Sequence, residues 1–239
     1  MTAPLAPASL SELARSGVVL GARGALVRLT GRTGIAIGVA AIGLAAVAGG
    51  LQREATAAQA VDRALVAIFD LVIPLATFAL VSAAIGRQRL PDAVWPVARF
   101  GADRRFVALG VVAASAAVSA GIAALATVLG ILAAHGPTSP PLVLDAVTSA
   151  WIAALTAAAY AAWFSLGATF LRFGGGRLAV LIADFFLGGV GLVAWVMPRG
   201  LALNLLGLAA TELPQRGASA ALVVTALGAA AMAAVRCGR

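Results

Sequence analysis

Six long apolar stretches, at residues 33–51, 65–86, 106–134, 142–171, 177–197 and 217–235, restrict what this chain can fold into more than any other feature. Crossing a hydrocarbon core of roughly 30 Å takes about 20 helical residues, and every stretch is near that length or beyond it. Their apolarity is continuous, without the alternation of a barrel strand, so helices are the spanning form expected. The predicted fold is all-α: a polytopic membrane bundle of six transmembrane helices. Hydrophobic residues make up 62% of the chain and its mean hydropathy is +1.03. A water-soluble chain of similar size buries about 70–75% of its unfolded surface and needs the remainder polar, which this composition does not supply.

The charge sits between the stretches and is lopsided. With the N-terminus in the cytoplasm, the inner segments hold Arg15, Arg23, Arg28, Arg32, Arg87, Arg89, Arg99, Arg104, Arg105, Arg172, Arg177, Arg236 and Arg239. The outer segments hold Arg53, Arg63, Arg199 and Arg216, so 13 of the 17 basic residues lie inside. Basic residues concentrate on the cytoplasmic side of membrane proteins. The expected location is therefore the inner (cytoplasmic) membrane, multi-pass, with both termini cytoplasmic. The net charge of +8 is absorbed by this topology. Membrane lipids are the expected partner, through anionic head groups, and nucleic acid is not.

Residues 1–32 are expected to form a cytoplasmic amphipathic segment ahead of the six-helix transmembrane domain, 33–239. No charged n-region precedes a short apolar core, so the start does not read as a secretory signal. Ser9 with Glu12 three residues on fits a capping box. Leu10, Leu13, Val18 and Leu20 supply apolar bulk, and Arg15, Arg23, Arg28 and Arg32 supply charge, as in a helix lying on the membrane surface. The alternative is a frayed tail interrupted by Gly17, Gly21, Gly24 and Gly31.

Missing residue types exclude much chemistry. All 17 basic residues are arginine. Without a lysine there is no Walker A loop and no Schiff base. The single histidine, His135, cannot supply a bis-histidine haem or a two-histidine zinc site, and no metal or cofactor is expected. The single cysteine, Cys237, forms no intrachain disulfide. No serine lies in a nucleophile elbow. The chain is not expected to be an enzyme, and an enzymatic alternative would have to use carboxylates.

Along the chain, Pro74 should kink the second span. The most charged loop is 87–105, which also holds Pro91, Trp95 and Pro96. The third span carries small residues, among them Ser115, Ser119 and Gly121, that favour close helix approach. Residues 135–141 read as a tight outer turn. Tyr160 and Trp163 read as interface anchors near the inner end of the fourth span. Gly174, Gly175 and Gly176 read as turn chemistry between Arg172 and Arg177. The outer segment 198–216 contains Leu201, Leu203, Leu205, Leu206 and Leu208 before Glu212 and Pro214. It is too short to span, and a re-entrant or interfacial helix is expected.

Two acids lie within the apolar stretches. Asp184 sits midway along the fifth, where an ionised aspartate costs about 2.5–3.5 kcal/mol on insertion scales. It is either a substrate or proton contact, or a structural hydrogen-bonding or protonated acid. Asp70, four residues before Pro74, either snorkels, pairs with Arg63, or lines a pathway. The two acids lie on different helices and could approach one another.

The layout resembles the permease subunits of type 2 ABC transporters, the exporter group. There, an amphipathic helix precedes six spans, a short helix between spans two and three docks on a separate ATPase, and an apolar outer segment precedes the last span. Residues 85–110, Ile-Gly-Arg-Gln-Arg-Leu-Pro-Asp-Ala-Val-Trp-Pro-Val-Ala-Arg-Phe-Gly-Ala-Asp-Arg-Arg-Phe-Val-Ala-Leu-Gly, look like the family's docking stretch. Arg87-Gln88-Arg89 and Pro91-Asp92 stand where the family carries acidic residues and Gly-Thr. Arg104 and Arg105 match its basic pair, Leu109-Gly110 the entry to span three, and Pro198 with 201–207 its outer segment.

The resemblance implies a transporter component that supplies no chemistry. A cytoplasmic ABC ATPase and a second permease subunit, in a homo- or heterodimer, would be its partners. The coupling residues would be Asp92, Val94, Trp95, Val97, Arg99, Arg104 and Arg105, with Val94, Trp95 and Val97 as the apolar docking face. Two other functions fit the same sequence: a non-transport membrane scaffold or assembly subunit, and an ion-coupled carrier using Asp70 and Asp184.

Overall fold

The computed structural model describes residues 10–53, 57–136, 141–189, 191–207 and 213–239, with side chains described from residue 14 onward except at 57 and 58. Ser9, Thr138, Leu208 and Glu212 lie outside that set, as does most of the outer turn 135–141. Every element among the described residues is helical. In order they are α1 (Leu10–Leu29), α2 (Arg32–Gln52), α3 (Ala57–Ala67), a π-helical turn (Ile68–Val72), α4 (Ile73–Ile85), α5 (Leu90–Ala98), α6 (Arg104–Ala134) and α7 (Leu142–Gly167). A 3-10 turn (Arg172–Gly174), α8 (Gly176–Leu187), a second 3-10 turn (Gly191–Trp195), α9 (Pro198–Leu205) and α10 (Gln215–Cys237) follow.

Five helical runs are long and apolar enough to cross a membrane: α2, the run from α3 into α4, α6, α7 and α10. The protein is a helical, multi-pass membrane protein. The fifth stretch departs from expectation. Its residues do not form one helix over 177–197; α8 stops at Leu187, before Gly188 and Gly189, and the chain continues through the 3-10 turn into α9. The fourth stretch also ends early, at Gly167, where the backbone of Gly176 approaches too closely for any side chain.

The 31-residue α6 is the axis of the bundle, packed by α1, α2, α7 and α10. Asp103 caps it, its carboxylate accepting the Arg105 backbone N–H at 2.8 Å. This satisfies one of the four donors a helix start leaves free.

α1 forms as a helix, but its glycines are its packing surface. Gly21 lies directly on the Val107 backbone, and Gly110 of α6 lies on the Val18 carbonyl. Gly17, Gly21, Ala25 and Leu29 are buried, while Val19, Leu20, Val27, Arg15 and Arg23 face outward. Small residues at a four-residue spacing let two helix backbones meet, and the price in helix propensity, about 1 kcal/mol for each glycine, is offset by that contact.

Contacts sort the helix ends into two sets. At one end, Arg28 of α1 donates to the Ala84 carbonyl at 2.9 Å, the Leu90 N–H meets the Ala168 carbonyl at 3.0 Å, and Gly238 lies against Arg105. This end gathers α1, α5, both ends of the turn 168–176 and the C-terminus, with most of the arginines. α2 runs along α6 in parallel, Gly38 meeting Ile122 and Gly49 meeting Gly130.

Candidate functional site: a buried charge network and an arginine-rich end

Pro74 shapes the first site. Proline has no N–H and its ring clashes with the carbonyl one turn before it. The helix answers with the π turn at Ile68–Val72, closed by the Ile73 N–H on the Ile68 carbonyl, and Pro74 then occupies the first turn of α4, where no donor is missed. The expected kink is thus a π turn, and Asp70 sits within it. Such turns are frequent at functional sites.

Asp70 pairs with Arg199 of α9 rather than with Arg63, which bonds Gln59 instead. Arg199 Nε donates to Asp70 Oδ1 at 3.0 Å. The same guanidinium donates through Nη1 to the Phe185 carbonyl at 2.7 Å and lies 5.2 Å from the Phe185 ring centroid. The Arg199 backbone N–H, in the first turn of α9, points to Asp184 Oδ1 at 3.4 Å. The other oxygen of Asp184 accepts the Tyr160 hydroxyl at 2.6 Å. Asp184 is 1% exposed and Tyr160 fully buried, with Phe164 stacked on the Tyr160 ring at 5.5 Å.

The two acids singled out in the sequence therefore belong to one network. It joins four elements: the π turn, α7, α8 and α9. Each partner offsets the cost of holding charge away from water, and the α9 N-terminus adds a favourable dipole toward Asp184. Tyr160 is not an interface anchor; its hydroxyl is the side-chain donor to Asp184. Its signal was being the chain's single tyrosine, in an alanine-rich helix with no need of a phenol for packing. Arg199 was counted with the outer charges; its signal was an arginine inside an apolar run.

A cavity of about 170 Å³ lies between α4 and α8, bounded by Asp70, Pro74, Leu75, Leu181, Ile182, Phe185 and Phe186. Two larger grooves, of about 590 Å³ between α6 and α7 and about 410 Å³ between α2 and α4, have no charged lining residue. They offer alkyl contact and no chemistry. Among the described residues no group of three or more His, Cys, Asp or Glu side chains is placed to hold a metal.

The second site is the arginine-rich end. α5 buries Leu90, Val94 and Ala98 at a four-residue spacing, and leaves Asp92, Trp95, Pro96 and Arg99 exposed. Val94 therefore packs into the protein's own core and Val97 is half-buried; of the expected apolar docking face only Trp95 stands outward. Phe100, just past the helix, is 79% exposed beneath the Arg99 guanidinium. Arg104 and Arg105 are exposed in the first turn of α6.

Beside α5 lies the turn at 168–176. Leu171 and Phe173 both hold positive φ, 57° and 56°, where a non-glycine residue costs about 1–3 kcal/mol. Arg177, 5% exposed, fixes the turn: Nε donates to the Gly174 carbonyl at 3.1 Å and Nη2 to the Gly86 carbonyl at 2.8 Å. Sequence reasoning placed Arg177 among the exposed inner charges; nothing in its neighbourhood of glycines signals a buried clamp. No protein-family model, curated protein or solved structure matches this chain.

Proposed function

We propose that this protein is a permease subunit of an ATP-driven exporter of the ABC type 2 class. In this reading, α5 carries the motion of a separate cytoplasmic ATPase into the spans. The observation that carries it is α5 itself: a nine-residue helix between two spans, at the end where most arginines collect. It is anchored inward by Leu90, Val94 and Ala98 and presents Trp95, Arg99 and Phe100 outward. A helix fixed on one face and bare on the other is suited to receive a protein and pass displacement to its neighbours.

Six crossings, with the arginine-rich end in the cytoplasm of an inner membrane, fit this reading. α8 would enter from that end, and α9 would be the re-entrant outer segment returning to the depth of Asp184. A second permease subunit would complete the pathway. Purifying the tagged chain in mild detergent and identifying what accompanies it by mass spectrometry tests the proposal. A stoichiometric Walker-motif ATPase is expected, lost when Trp95→Ala and Phe100→Ala are combined; a chain that purifies without one overturns the reading.

A second reading, an ion-coupled carrier, is favoured by the Asp70–Arg199–Asp184–Tyr160 network, which places two carboxylates and one guanidinium in the apolar interior. It requires pH-dependent transport by the chain alone in liposomes, abolished by Asp184→Asn. Activity that depends on an added ATPase would reject it.

A further inference from the structure

α8 begins at Gly176 with nothing to satisfy its start. Its N-cap, Gly175, has no side chain to accept a bond, and its first turn holds no acid. The N–H groups of Gly176 and Arg177 make no backbone hydrogen bond among the described residues, since the first donors of a helix have no acceptor within it. A helix of 12 residues also gathers positive potential at this end.

Arg177 adds a full positive charge at the same place. Its side chain is buried and folds back over the helix start, Nε donating to the Gly174 carbonyl at 3.1 Å and Nη2 to the Gly86 carbonyl at 2.8 Å. The third nitrogen, Nη1, is buried and has no acceptor among the described residues. Arg177 makes no ion pair among them either, and residues 84–91 and 168–179, which meet at this junction, contain no aspartate or glutamate. A charge away from water needs an opposite charge and a full set of hydrogen bonds, and Arg177 has neither. Gly175 is exposed, and a side chain built there would meet only the Arg172 carbonyl at 3.3 Å and Leu171 at 3.8 Å, so the helix start can be approached from outside. α4 ends at Ile85 and α7 at Gly167. The junction therefore lies at the ends of two spans, at the depth of lipid head groups.

We propose that the start of α8 is a binding site for a phosphate group, carried by an anionic lipid or free in solution. The phosphate sits at Gly175 and accepts from the N–H groups of Gly176 and Arg177 and from Arg177 Nη1. It compensates the guanidinium and the helix dipole together. Glycine at 174–176 lets an oxyanion come against the backbone, as at other helix starts that hold phosphate. Arg87, Arg89 and Arg172, exposed on the two segments that form the junction, draw anions toward it without contacting the bound group. The site lies within one chain and is independent of the permease reading.

The full chain, stripped of lipid by extended washing in detergent, is titrated with inorganic phosphate and, separately, with short-chain phosphatidylglycerol, and bound ligand is counted by native mass spectrometry. One ligand per chain is expected in at least one titration. Binding of inorganic phosphate marks a site for the free ion, and binding of the lipid alone marks a head-group site. Gly175→Asp places a carboxylate where the phosphate would sit and supplies a favoured helix cap, so the chain should keep its melting temperature while the Kd rises about tenfold or more. Arg87→Gln with Arg89→Gln removes more positive charge and should raise the Kd less. Hydrogen exchange of the wild-type chain gives a second readout that needs no variant: binding should protect the amides at 175–178. Binding of neither ligand overturns the proposal. So does binding that Gly175→Asp leaves unchanged, binding that depends more on Arg87 and Arg89 than on Gly175, or binding that leaves exchange at 175–178 as it was.

Discussion

Arg199 and Asp70 lie 129 residues apart in sequence and meet at 3.0 Å, the guanidinium of α9 on the carboxylate of the π turn. Both side chains are largely buried, 19% and 27% exposed. In apolar surroundings, removing one partner leaves the other charged without compensation, whereas removing both is far milder. Arg199→Gln or Asp70→Asn alone should each lower stability by about 1–3 kcal/mol. The double variant should lose less than the sum. Thermal unfolding in detergent measures this, and strictly additive losses would show that the pair is not coupled.

Tyr160 donates to Asp184 at 2.6 Å, and no other side chain donates to that carboxylate among the described contacts. Tyr160→Phe keeps the ring and its stacking on Phe164 and deletes one bond to a buried carboxyl group. The expected loss is about 1–3 kcal/mol. Asp184→Asn combined with Tyr160→Phe should lose less than the sum of the two single variants, because both remove the same bond. Equal stability of wild type and Tyr160→Phe would mean that Asp184 draws nothing from the phenol.

Pro74 is the local cause of the π turn, so its removal should act at a distance from any charge. Pro74→Ala returns an N–H to the helix and permits ordinary α geometry. One residue of altered register rotates the preceding side chains by about 100°. Asp70 would then turn away from Arg199. The coupling between Asp70 and Arg199, measured by a double-mutant cycle in the Pro74→Ala background, should fall to near zero. Unchanged coupling would assign the π turn to packing by Ile68, Phe69 and Val72 instead.

Why some of this was legible and some was not follows from the kind of signal each feature leaves. The long runs behind α2, α6, α7 and α10 are set by composition over 20 or more residues, and those helices appear where the apolarity places them. α5 was expected only through the resemblance, with Val94, Trp95 and Val97 as its docking face; Trp95 does stand outward, but Val94 is buried, because an apolar side chain looks equally ready for a core or a partner. The break after Leu187 was marked by Gly188 and Gly189, but hydropathy continues through Leu192 and Trp195 and hid it. The partners of Asp70 and Asp184 could not be read at all. They come from α9 and α7, and pairing across such separations is fixed by packing, which leaves no local pattern. The glycines of α1 were ambiguous for a related reason: a glycine that breaks a helix and one that lets two helices touch are the same letter.

That ambiguity gives a paired prediction. Gly21 lies on the Val107 backbone, whereas nothing lies within 4 Å of a side chain built at Gly24. Gly21→Leu should force α1 off α6 and cost about 1–3 kcal/mol or more, and protease should then cleave α1 readily. Gly24→Ala should instead stabilise by up to about 1 kcal/mol through helix propensity alone. Equal effects at the two positions would show that α1 does not pack on α6 through its glycine face.

Leu171 offers the converse test, a substitution that should strengthen the fold. Its φ of 57° is unfavourable for leucine and neutral for glycine. With the side chain 64% exposed, little packing is lost on truncation. Leu171→Gly should therefore raise stability by about 1–2 kcal/mol, less the entropy that glycine adds to the unfolded chain. A chain with a higher melting temperature would show that the left-handed backbone at Leu171 is strained in the native fold. A chain with a lower melting temperature would mean that Leu171 stabilises the turn through contacts that outweigh its backbone, and the strain would then need no functional explanation.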